Sequence, residues 1–306
     1  MKTKATQILT TLQKSKKILL VAHTRPDGDA VGSILALGLV LEGMGLEVEM
    51  AVDGVLPVVA AALPSGYKIR DSFWPEGIDT AVILDCGGWK RTGFFETDEL
   101  KINWPENVIV IDHHEIQNTT PGIHLIEPEL SSTAELLYLL FKEWDVSISS
   151  EIATCLLAGM AYDTSFFKHS NTSKQTMEIG GRLMDAGADL SKIVESSPGV
   201  LSAQGLRLWG RVLSRMQYHP QWGLVLSLVS LKDLAETGAT NNDIDGLVGL
   251  MNSVSGIKIA MLVTEIAPGK YKTSVRTESE EIDVANIAAL FGGGGHKKAA
   301  GFTLSV

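Results

Sequence analysis

The chain has 306 residues, of which 45% are hydrophobic and 20% are charged. This is the balance of a globular protein and excludes a largely disordered one. At about 150 residues per domain, the length suggests two domains. The net charge of −10 disfavours binding of long nucleic acids, because such binding needs many phosphates to be neutralised by lysine and arginine. The charge does not exclude a small phosphorylated substrate, because binding it needs only a few local contacts.

Hydropathy and cysteine content indicate neither a membrane protein nor a disulfide-rich one. The longest apolar stretches, such as 34–41, are far shorter than the roughly 18 residues of a membrane span. The residues before Lys17 do not form a secretory signal. Cys86 and Cys155, the two cysteines, have no metal-binding spacing. We therefore expect reduced thiols in a cytoplasmic protein.

The first half alternates short apolar runs with helical patterns, which predicts an α/β domain built on a parallel sheet. Ser132 and Glu135 form a capping-box pattern at the start of one helix. The predicted strands are Ile18–Ala22, Leu46–Val52, Ala81–Leu84 and Val108–Ile111. The predicted helices are Ala30–Met44, Ala134–Trp144, Ser150–Ala161 and Lys174–Asp185.

A stretch rich in glycine and serine, 185–204, predicts the domain boundary. Beyond it, an amphipathic helix and strand-like runs predict a smaller α+β domain. We place the first domain at 1–190, a linker at 191–205 and the second domain at 206–306. The predicted strands are Leu224–Val229, Ile257–Val263, Tyr271–Val275 and Gly301–Val306, with a helix at Val284–Phe291 and a glycine loop after it.

Acidic and imidazole side chains follow the buried segments of the first half. Open parallel sheets bind ligands outside the carboxyl ends of their strands, so we expect these side chains to converge. A single aspartate at such a place is commonly a helix cap. Three of the seven histidines, however, follow strands beside carboxylates. The side chains concerned are His23, Asp27, Asp29, Asp85, Asp112, His113, His114 and Asp163.

Four carboxylates brought together would repel one another and raise one another's pKa values. Two divalent cations would balance the charge of −4 carried by Asp27, Asp29, Asp85 and Asp163. Oxygen ligands with a minority of imidazole suit Mn²⁺ better than Zn²⁺ or Mg²⁺. Two metals roughly 3.5–4 Å apart can share a hydroxide and align it for attack on phosphorus. The sequence therefore predicts a two-metal site for phosphate chemistry.

The second domain carries a run of four glycines, Gly292–Gly295, followed by His296. Successive glycine amides can form an anion-binding concavity, to which Arg276 would add a guanidinium. A flexible connector is the alternative interpretation. The run is not a Walker A loop, because no Lys-Ser/Thr pair follows the glycines.

These motifs resemble those of the DHH/DHHA1 phosphoesterase family. The motifs occur in the family's order and span the whole chain. The resemblance implies an α/β fold: an N-terminal parallel-sheet DHH domain with helices on both faces, a smaller C-terminal α+β DHHA1 domain, and an active site in the cleft between them. The matching motifs are His23-x-x-Pro26-Asp27-Gly28-Asp29-Ala30-x-Gly32-Ser33, Asp85, Asp112-His113-His114, Asp163 and Gly292-Gly293-Gly294-Gly295-His296-x-x-Ala299-Ala300-Gly301.

In size and plan the chain is similar to the RecJ-like bacterial branch of nano-RNases and pAp phosphatases. That likeness implies hydrolysis of very short oligoribonucleotides to mononucleotides, and of 3′-phosphoadenosine 5′-phosphate (pAp) to AMP. It implies two Mn²⁺ ions, with Mg²⁺ or Co²⁺ as substitutes. One ion would be held by His23, Asp27 and Asp85, and the other by Asp29, Asp85, His113 and Asp163.

The same resemblance implies the residues that handle the substrate. His114 would contact the phosphate or assist the leaving group, and Asp112 would orient an imidazole. Arg91 is a further candidate for a phosphate contact. The substrate-binding residues on the DHHA1 side would be Arg276, Gly293, Gly294, Gly295 and His296.

Three positions depart from the family pattern. Ser165 stands where glycine is usual, Cys86 replaces a small or polar residue, and the segment Glu115–Asn118 is not of the commonest form. None of them removes an implied metal ligand. They bear on substrate preference and leave the metal chemistry unchanged.

Several other functions remain open at this point. The nearest is a cyclic di-AMP or pApA phosphodiesterase, and a non-catalytic nucleotide-binding module is a second. A module would be expected to have a broken ligand set, whereas this set is intact. A family II pyrophosphatase is disfavoured by the glycine-histidine ending, and a long-DNA exonuclease by the acidic charge. We expect no membrane partner, and a homodimer is compatible with the sequence.

Overall fold

The computed structural model describes residues 2–94, 105–114, 122–196 and 202–305, apart from the side chain of His296. They fall into two compact units, Met1–Ser197 (unit 1) and Pro198–Val306 (unit 2), each with its own hydrophobic core. The departure at Glu115–Asn118 lies outside the described residues. None of the helices in the described ranges has the length and apolarity needed to cross a bilayer.

Unit 1 is an α/β unit whose elements alternate as the sequence predicts. Its strands are β1 (Lys17–Val21), β2 (Glu47–Ala51), β3 (Thr80–Leu84), β4 (Asn107–Asp112) and β5 (Ile123–Ile126). Its helices are α1 (Lys2–Lys14), α2 (Gly28–Gly43), α3 (Val58–Ala62), α4 (Thr133–Glu143), α5 (Ser150–Asp163), α6 (Lys174–Asp185) and α7 (Leu190–Glu195).

The strands of unit 1 form a parallel sheet in the order β2-β1-β3-β4-β5. Strand β3 is buried along its whole length, as expected for an apolar run covered on both faces. One face packs against the helical core, and the other packs against Phe73, Trp89 and Phe94. The predicted parallel sheet is confirmed.

Helices α2 and α5 approach each other closely at two glycines. A Cβ atom at Gly32 of α2 would lie 2.5 Å from the backbone oxygen of Cys155 in α5. A Cβ atom at Gly159 of α5 would lie 2.5 Å from Oδ1 of Asp29 in α2. Glycine at these positions therefore sets the short distance between two helices that both carry candidate site residues.

Helix α4 begins with the predicted serine cap but without a complete capping box. The Ser132 side chain accepts a hydrogen bond from the Glu135 N–H at 3.0 Å. The Glu135 carboxylate, which is fully buried, instead accepts hydrogen bonds from the Ser131 N–H and the Thr176 hydroxyl. The buried Glu135 carboxylate is thus bound by the preceding loop and by α6. The predicted capping box, in which it would bond to the Ser132 N–H, is therefore wrong.

Unit 2 contains a mixed sheet in the order β10-β11-β9-β8-β7-β6, in which only the β7–β8 pair is parallel among the described strands. This confirms the α+β class. The strands are β6 (Gln217–His219), β7 (Leu224–Val229), β8 (Ile259–Ala267), β9 (Lys270–Arg276), β10 (Gly294–His296) and β11 (Ala299–Ser305). The helices are α8 (Ala203–Ser214), α9 (Leu231–Thr237), α10 (Leu247–Asn252) and α11 (Val284–Ala289).

The glycine run, predicted as a loop, is largely ordered by backbone hydrogen bonds. Residues Gly294–His296 form β10 and pair with β11, and the Gly293 N–H donates to the Ala288 carbonyl oxygen at 2.9 Å. A Cβ atom at Gly293 would lie 2.2 Å from the Gly301 oxygen, whereas one at Gly294 would meet no heavy atom within 4 Å. Packing therefore requires glycine at 293 but not at 294.

Replacing Gly32 with alanine should lower the free energy of unfolding by about 1–3 kcal/mol, because the added methyl group forces α2 away from α5. Equilibrium unfolding in urea measures the change. Gly43, exposed in the last turn of α2, offers a matched control, since a Cβ atom there meets nothing within 4 Å. Gly43→Ala should have no effect or stabilise by up to about 1 kcal/mol. Equal losses in both variants would contradict the close packing.

Candidate metal centre

The carboxyl ends of β1, β3 and β4 carry three of the six candidate ligands. His23 comes two residues after β1, Asp85 directly follows β3, and Asp112 ends β4 just before His113. Because β3 pairs in parallel with both β1 and β4, these side chains leave the sheet at the same edge. At Asp85 the backbone has a positive φ of 50°, where the chain turns sharply out of the strand.

Two helix starts position Asp27 and Asp29. Asp27 is the N-cap of α2, and its Oδ1 accepts two backbone N–H bonds at 3.0 and 3.1 Å from the first turn of α2. Asp29 is fully buried, and its carboxylate lies at the N-terminus of α4. There it accepts hydrogen bonds from the N–H groups of Thr133 and Ala134 at 2.7 and 3.0 Å. The positive end of the α4 dipole thus compensates part of this charge.

Among the residues that the structure describes, three groups of donor atoms lie close enough together to hold a cation. Within each group, the candidate ligand atoms all lie within 4.8 Å of one another. The structure therefore brings together the six side chains that the resemblance implies as ligands. The groups are His23 with Asp27 and Asp85, Asp29 with His113 and Asp163, and Asp85 with His113 and His114.

Asp85 lies between the groups. Its Oδ2 is 3.9 Å from Nε2 of His23, and its Oδ1 is 3.6 Å from Nε2 of His113. The Thr133 hydroxyl donates to the same Oδ1 at 3.1 Å. Asp163, at the end of α5, approaches His113 from the other side, with its Oδ2 3.0 Å from Nε2. This geometry suits a carboxylate shared by two neighbouring cations.

Backbone carbonyls fix the tautomers of two imidazoles. Nδ1 of His23 contacts the Thr24 oxygen at 2.8 Å, and Nδ1 of His113 contacts the Leu130 oxygen at 3.3 Å. Each Nδ1 therefore carries a proton, and each Nε2 faces carboxylates, where it would give up its proton and offer a lone pair when a cation is bound. Nε2 of His113 is buried and makes no well-aligned hydrogen bond to the described residues. Lone pairs and carboxylates directed at one point fit a bound divalent cation, with oxygen and imidazole donors of the kind Mn²⁺ accepts.

The pKa values of the metal-free site show how much negative charge it concentrates. Desolvation, together with the charges of Asp27 and Asp163, raises the pKa of Asp85 to about 7. Desolvation and the neighbouring carboxylates also raise the pKa of Asp29 well above its usual value. Burial alone would lower the pKa of His113, but the carboxylates of Asp163, Asp29 and Asp85 outweigh it and raise that pKa to about 10. Without a cation, the site retains protons to limit repulsion.

Asp112 orients His114. Its Oδ2 accepts the N–H groups of Cys86 and Gly87, both at 2.7 Å. Its Oδ1 accepts the N–H of His114 and contacts Nδ1 of the same residue, both at 2.8 Å. Desolvation would raise the pKa of Asp112, but these bonds and the His114 imidazole lower it. The carboxylate is fully buried and faces His114, beside the metal-ligand groups.

Three of the five candidate phosphate-binding positions of unit 2, namely 276, 294 and 296, share one face of its sheet. In the strand register, position 296 pairs with Ala299, which in turn pairs with Arg276. Position 294 lies two residues before 296 and therefore on the same face. Arg276 is half-buried, and its Nη1 donates to the Val275 oxygen at 3.1 Å. Gly295 lies on the opposite face of β10, Gly293 precedes the strand, and the His296 side chain lies outside the described residues.

Sequence reasoning missed the neutral donors that hold the carboxylates. The Thr133 hydroxyl bonds Asp85, and the Ser33 hydroxyl donates to Oδ1 of Asp29 at 3.3 Å. Thr133 follows the serine cap of a predicted helix, so its N–H, which the helix itself does not use, could have been predicted to bind an anion. That the anion is Asp29 could not have been predicted, because 104 residues separate the two.

Comparison with known proteins reveals which family shares these motifs. Residues 17–160 match the DHH family, N-terminal domain, and residues 224–306 match the DHHA1 domain. The bifunctional oligoribonuclease and PAP phosphatase NrnA of Thermus thermophilus is 30% identical over 289 residues, covering 94% of this chain and 84% of its own. The chain belongs to the DHH/DHHA1 phosphoesterase family.

Two further DHH-family comparisons agree with this assignment. The crystal structure of an exopolyphosphatase-related protein from Bacteroides fragilis matches with a TM-score of 0.89 at 26% identity, covering 99% of this chain and 91% of that one. The probable manganese-dependent inorganic pyrophosphatase of Streptococcus agalactiae is 28% identical over 187 residues, 58% of each chain. This DHH protein is accordingly a hydrolase of phosphoester bonds.

The turn after Asp163 accounts for one departure from the DHH pattern. Ser165, Phe166 and Phe167 have φ values of 48°, 58° and 63°, a left-handed conformation that costs about 1–2 kcal/mol per non-glycine residue. Glycine, usual at 165, adopts this conformation without that cost. The Thr164 hydroxyl supports the turn by accepting the Phe167 N–H at 3.0 Å. Serine at 165 thus fits a turn that glycine would form more easily.

Adding Mn²⁺ to metal-free protein should raise its melting temperature, and more at pH 8 than at pH 5.5. Between about pH 4 and 7, Asp85 keeps a proton in the folded protein that it has lost in the unfolded chain. Between about pH 6.5 and 10, the same holds for His113. The metal-free protein therefore loses stability as pH rises, and a cation removes this penalty. A free Mn²⁺ concentration of about 100 times the dissociation constant should raise the free energy of unfolding by about 2.7 kcal/mol.

Differential scanning calorimetry with and without a chelator measures this effect. The control variant Asp71→Asn, which changes an exposed carboxylate outside the donor groups, should show the same shift as the wild type. A shift that is equal at both pH values, or larger at pH 5.5, would show that the cation does not bind this cluster.

Proposed function

We propose that this protein hydrolyses short oligoribonucleotides to mononucleotides and pAp to AMP. The convergence of six donor side chains around Asp85 carries the proposal, because it gives a phosphoesterase site with the chemistry of a two-metal centre. The substrate class is supported by the relative from Thermus thermophilus, which is named an oligoribonuclease and PAP phosphatase. The net charge of −10 favours small phosphorylated substrates over long nucleic acids.

Two Mn²⁺ ions are the proposed cofactors, with Mg²⁺ or Co²⁺ as substitutes. One would be held by His23, Asp27 and Asp85, and the other by Asp29, Asp85, His113 and Asp163. When bound, such ions make water a stronger nucleophile and neutralise charge on phosphate. The manganese-dependent relative from Streptococcus agalactiae supports this choice of ion.

The chain's own residues orient the substrate. Asp112 holds Nδ1 of His114, which leaves Nε2 to contact the phosphate or the leaving group. In unit 2, Arg276 and the backbone around Gly294 are proposed to bind a phosphate of the substrate, together with Gly293, Gly295 and His296.

The buried free thiols Cys86 and Cys155 agree with a cytoplasmic location.

Replacing Asp85 with asparagine should reduce Mn²⁺-stimulated hydrolysis of a ribodinucleotide by at least about 10³-fold, because the shared carboxylate is lost from both donor groups. Asparagine preserves the volume of the side chain. Release of mononucleotides from a substrate panel measures the effect: pAp, RNA of two to about ten nucleotides, pApA and cyclic di-AMP.

Asp71→Asn is again the matched control and should retain full activity. Full activity of Asp85→Asn would refute the metal assignment. Preferential turnover of cyclic di-AMP or pApA by the wild type would replace the proposed substrate class. Tight pAp binding without turnover of any substrate in the panel would favour a nucleotide-binding module.

Gly294→Ala should raise KM for pAp by about tenfold while leaving the melting temperature unchanged, because the methyl group meets no protein atom but would obstruct a phosphate. Gly249→Ala is the control: Gly249 is exposed in α10, and a Cβ atom there also meets nothing within 4 Å. An unchanged KM in Gly294→Ala would remove this position from the substrate-binding set.

A further inference from the structure

A short segment at the start of α4, residues 130–134, contacts candidate metal ligands that lie far from it in the chain. We call this segment the α4 turn. The Leu130 oxygen contacts Nδ1 of His113 at 3.3 Å, across 17 positions of the chain. The Thr133 hydroxyl donates to Oδ1 of Asp85 at 3.1 Å, across 48 positions. The α4 turn therefore orients ligands that leave the sheet at the ends of β3 and β4.

The α4 turn also holds the ligands that come from α2 and α5. Two of its N–H groups donate to the two oxygens of Asp29, at 2.7 and 3.0 Å. Asn171 connects the turn to the end of α5, because its side-chain amide donates to the backbone oxygens of Ser131 and Asp163, both at 3.2 Å. Four candidate ligands are thus tied to one segment of five residues.

Glu135 in turn fixes the position of the α4 turn. Its carboxylate is fully buried and accepts four hydrogen bonds. Two come from the N–H and the hydroxyl of Ser131, at 3.1 and 2.5 Å. The other two come from the side chains of Gln175 and Thr176 in α6, both at 3.0 Å. Because burying a carboxylate is costly unless donors satisfy it, this charge clamps the turn to α6.

His23 and Asp27 are held by other parts of the fold. Nδ1 of His23 contacts the Thr24 oxygen, and the Asp27 carboxylate accepts N–H bonds from the first turn of α2. Within the described ranges, neither side chain bonds to the α4 turn. Asp85 faces the turn with Oδ1 and His23 with Oδ2. One group of ligands therefore depends on the α4 turn, whereas the other does not.

We infer that Glu135 and Asn171 are positioning residues for one of the two proposed cations and not for the other. They act through the α4 turn, and neither bonds to the side chain of a candidate ligand. Partners that orient metal ligands in this way commonly contribute about 10–100-fold in metal affinity. The inference rests on the proposed function, since it needs two bound cations. The cation concerned is the one whose ligands would be Asp29, Asp85, His113 and Asp163.

The test removes these bonds without changing a ligand. Glu135→Gln keeps the size of the side chain but turns an amide donor toward groups that are themselves donors. Glu143→Gln, in the exposed last turn of the same helix, is its matched control. Asn171→Ala removes the bridge to Asp163. Its control is Asn242→Ala, at an exposed position whose side chain bonds to none of the described residues. Calorimetric titration of metal-free, full-length protein with Mn²⁺ measures the number of ions bound and the dissociation constant of each.

Glu135→Gln should weaken one ion about 10–100-fold and leave the other unchanged. Two ligand variants identify the ion that is affected. In His23→Ala, where the ligands tied to the α4 turn remain complete, adding Glu135→Gln should weaken the remaining ion. In Asp163→Ala, where the other set remains complete, it should have no effect. Asn171→Ala should weaken the same ion by a smaller factor, and both control variants should bind Mn²⁺ as the wild type does.

The melting temperature of each metal-free variant shows that the titrated protein is folded. Asn171 is exposed, so its variant decides the test if Glu135→Gln does not fold. Binding of both ions by Asn171→Ala as tightly as by Asn242→Ala would then overturn the inference. So would equal weakening of both ions by Glu135→Gln, or a wild type that binds fewer than two ions.

Failure of the proposed function has a different signature. In that case, the wild type would bind two ions, one of them sensitive to Glu135→Gln, but would hydrolyse neither pAp nor short RNA. Conversely, full hydrolysis by the wild type with no difference in ion binding between Glu135→Gln and Glu143→Gln would leave the proposed function standing and remove the positioning role.

Discussion

Concentrated negative charge at one edge of the unit 1 sheet is the constraint on which the site depends. Asp29 and Asp85 are buried, and Asp163 and Asp27 lie close by. Two like charges 4 Å apart repel by about 4 kcal/mol at an effective dielectric constant of 20. A helix N-terminus and the Thr133 hydroxyl compensate only part of this, as the raised pKa values show. In the metal-free site retained protons supply the rest, and bound divalent cations would take their place.

The scaffold must bring these carboxylates together before a cation can bind to them and offset their repulsion. His23 and Asp163 are 140 positions apart in the chain, and local sequence cannot bring them together. The parallel pairing of β1, β3 and β4 aligns one set of ligands, and the glycine contact between α2 and α5 aligns the other. Because the cation stabilises an arrangement that repels itself without it, cation binding and folding stability are coupled.

The sequence predicted the sheet and the convergence of the acidic and imidazole side chains because both have local signals: short apolar runs, and polar groups soon after them. It missed α1, α3, α7, α9, α10, β5 and β6, most of which are too short to show a clear period. All but the first residue of α7, Leu190–Glu195, lies inside the predicted linker, 191–205. Hydrogen bonds between residues far apart in the chain could not be predicted either: Glu135 accepts a bond from Thr176 and does not complete the local capping box.

Packing requires glycine at some positions of the chain and not at others. Gly159 leaves room for the Asp29 carboxylate, and Gly293 leaves room for a neighbouring strand, so packing explains both. Gly87 has a positive φ, and a Cβ atom there would lie 2.9 Å from Nη1 of Arg91, closer than van der Waals contact allows. Gly294 has neither a positive φ nor a close neighbour, and glycine weakens a strand. Because nothing in the packing requires glycine at 294, a substitution there tests the proposed phosphate contact without disturbing the fold.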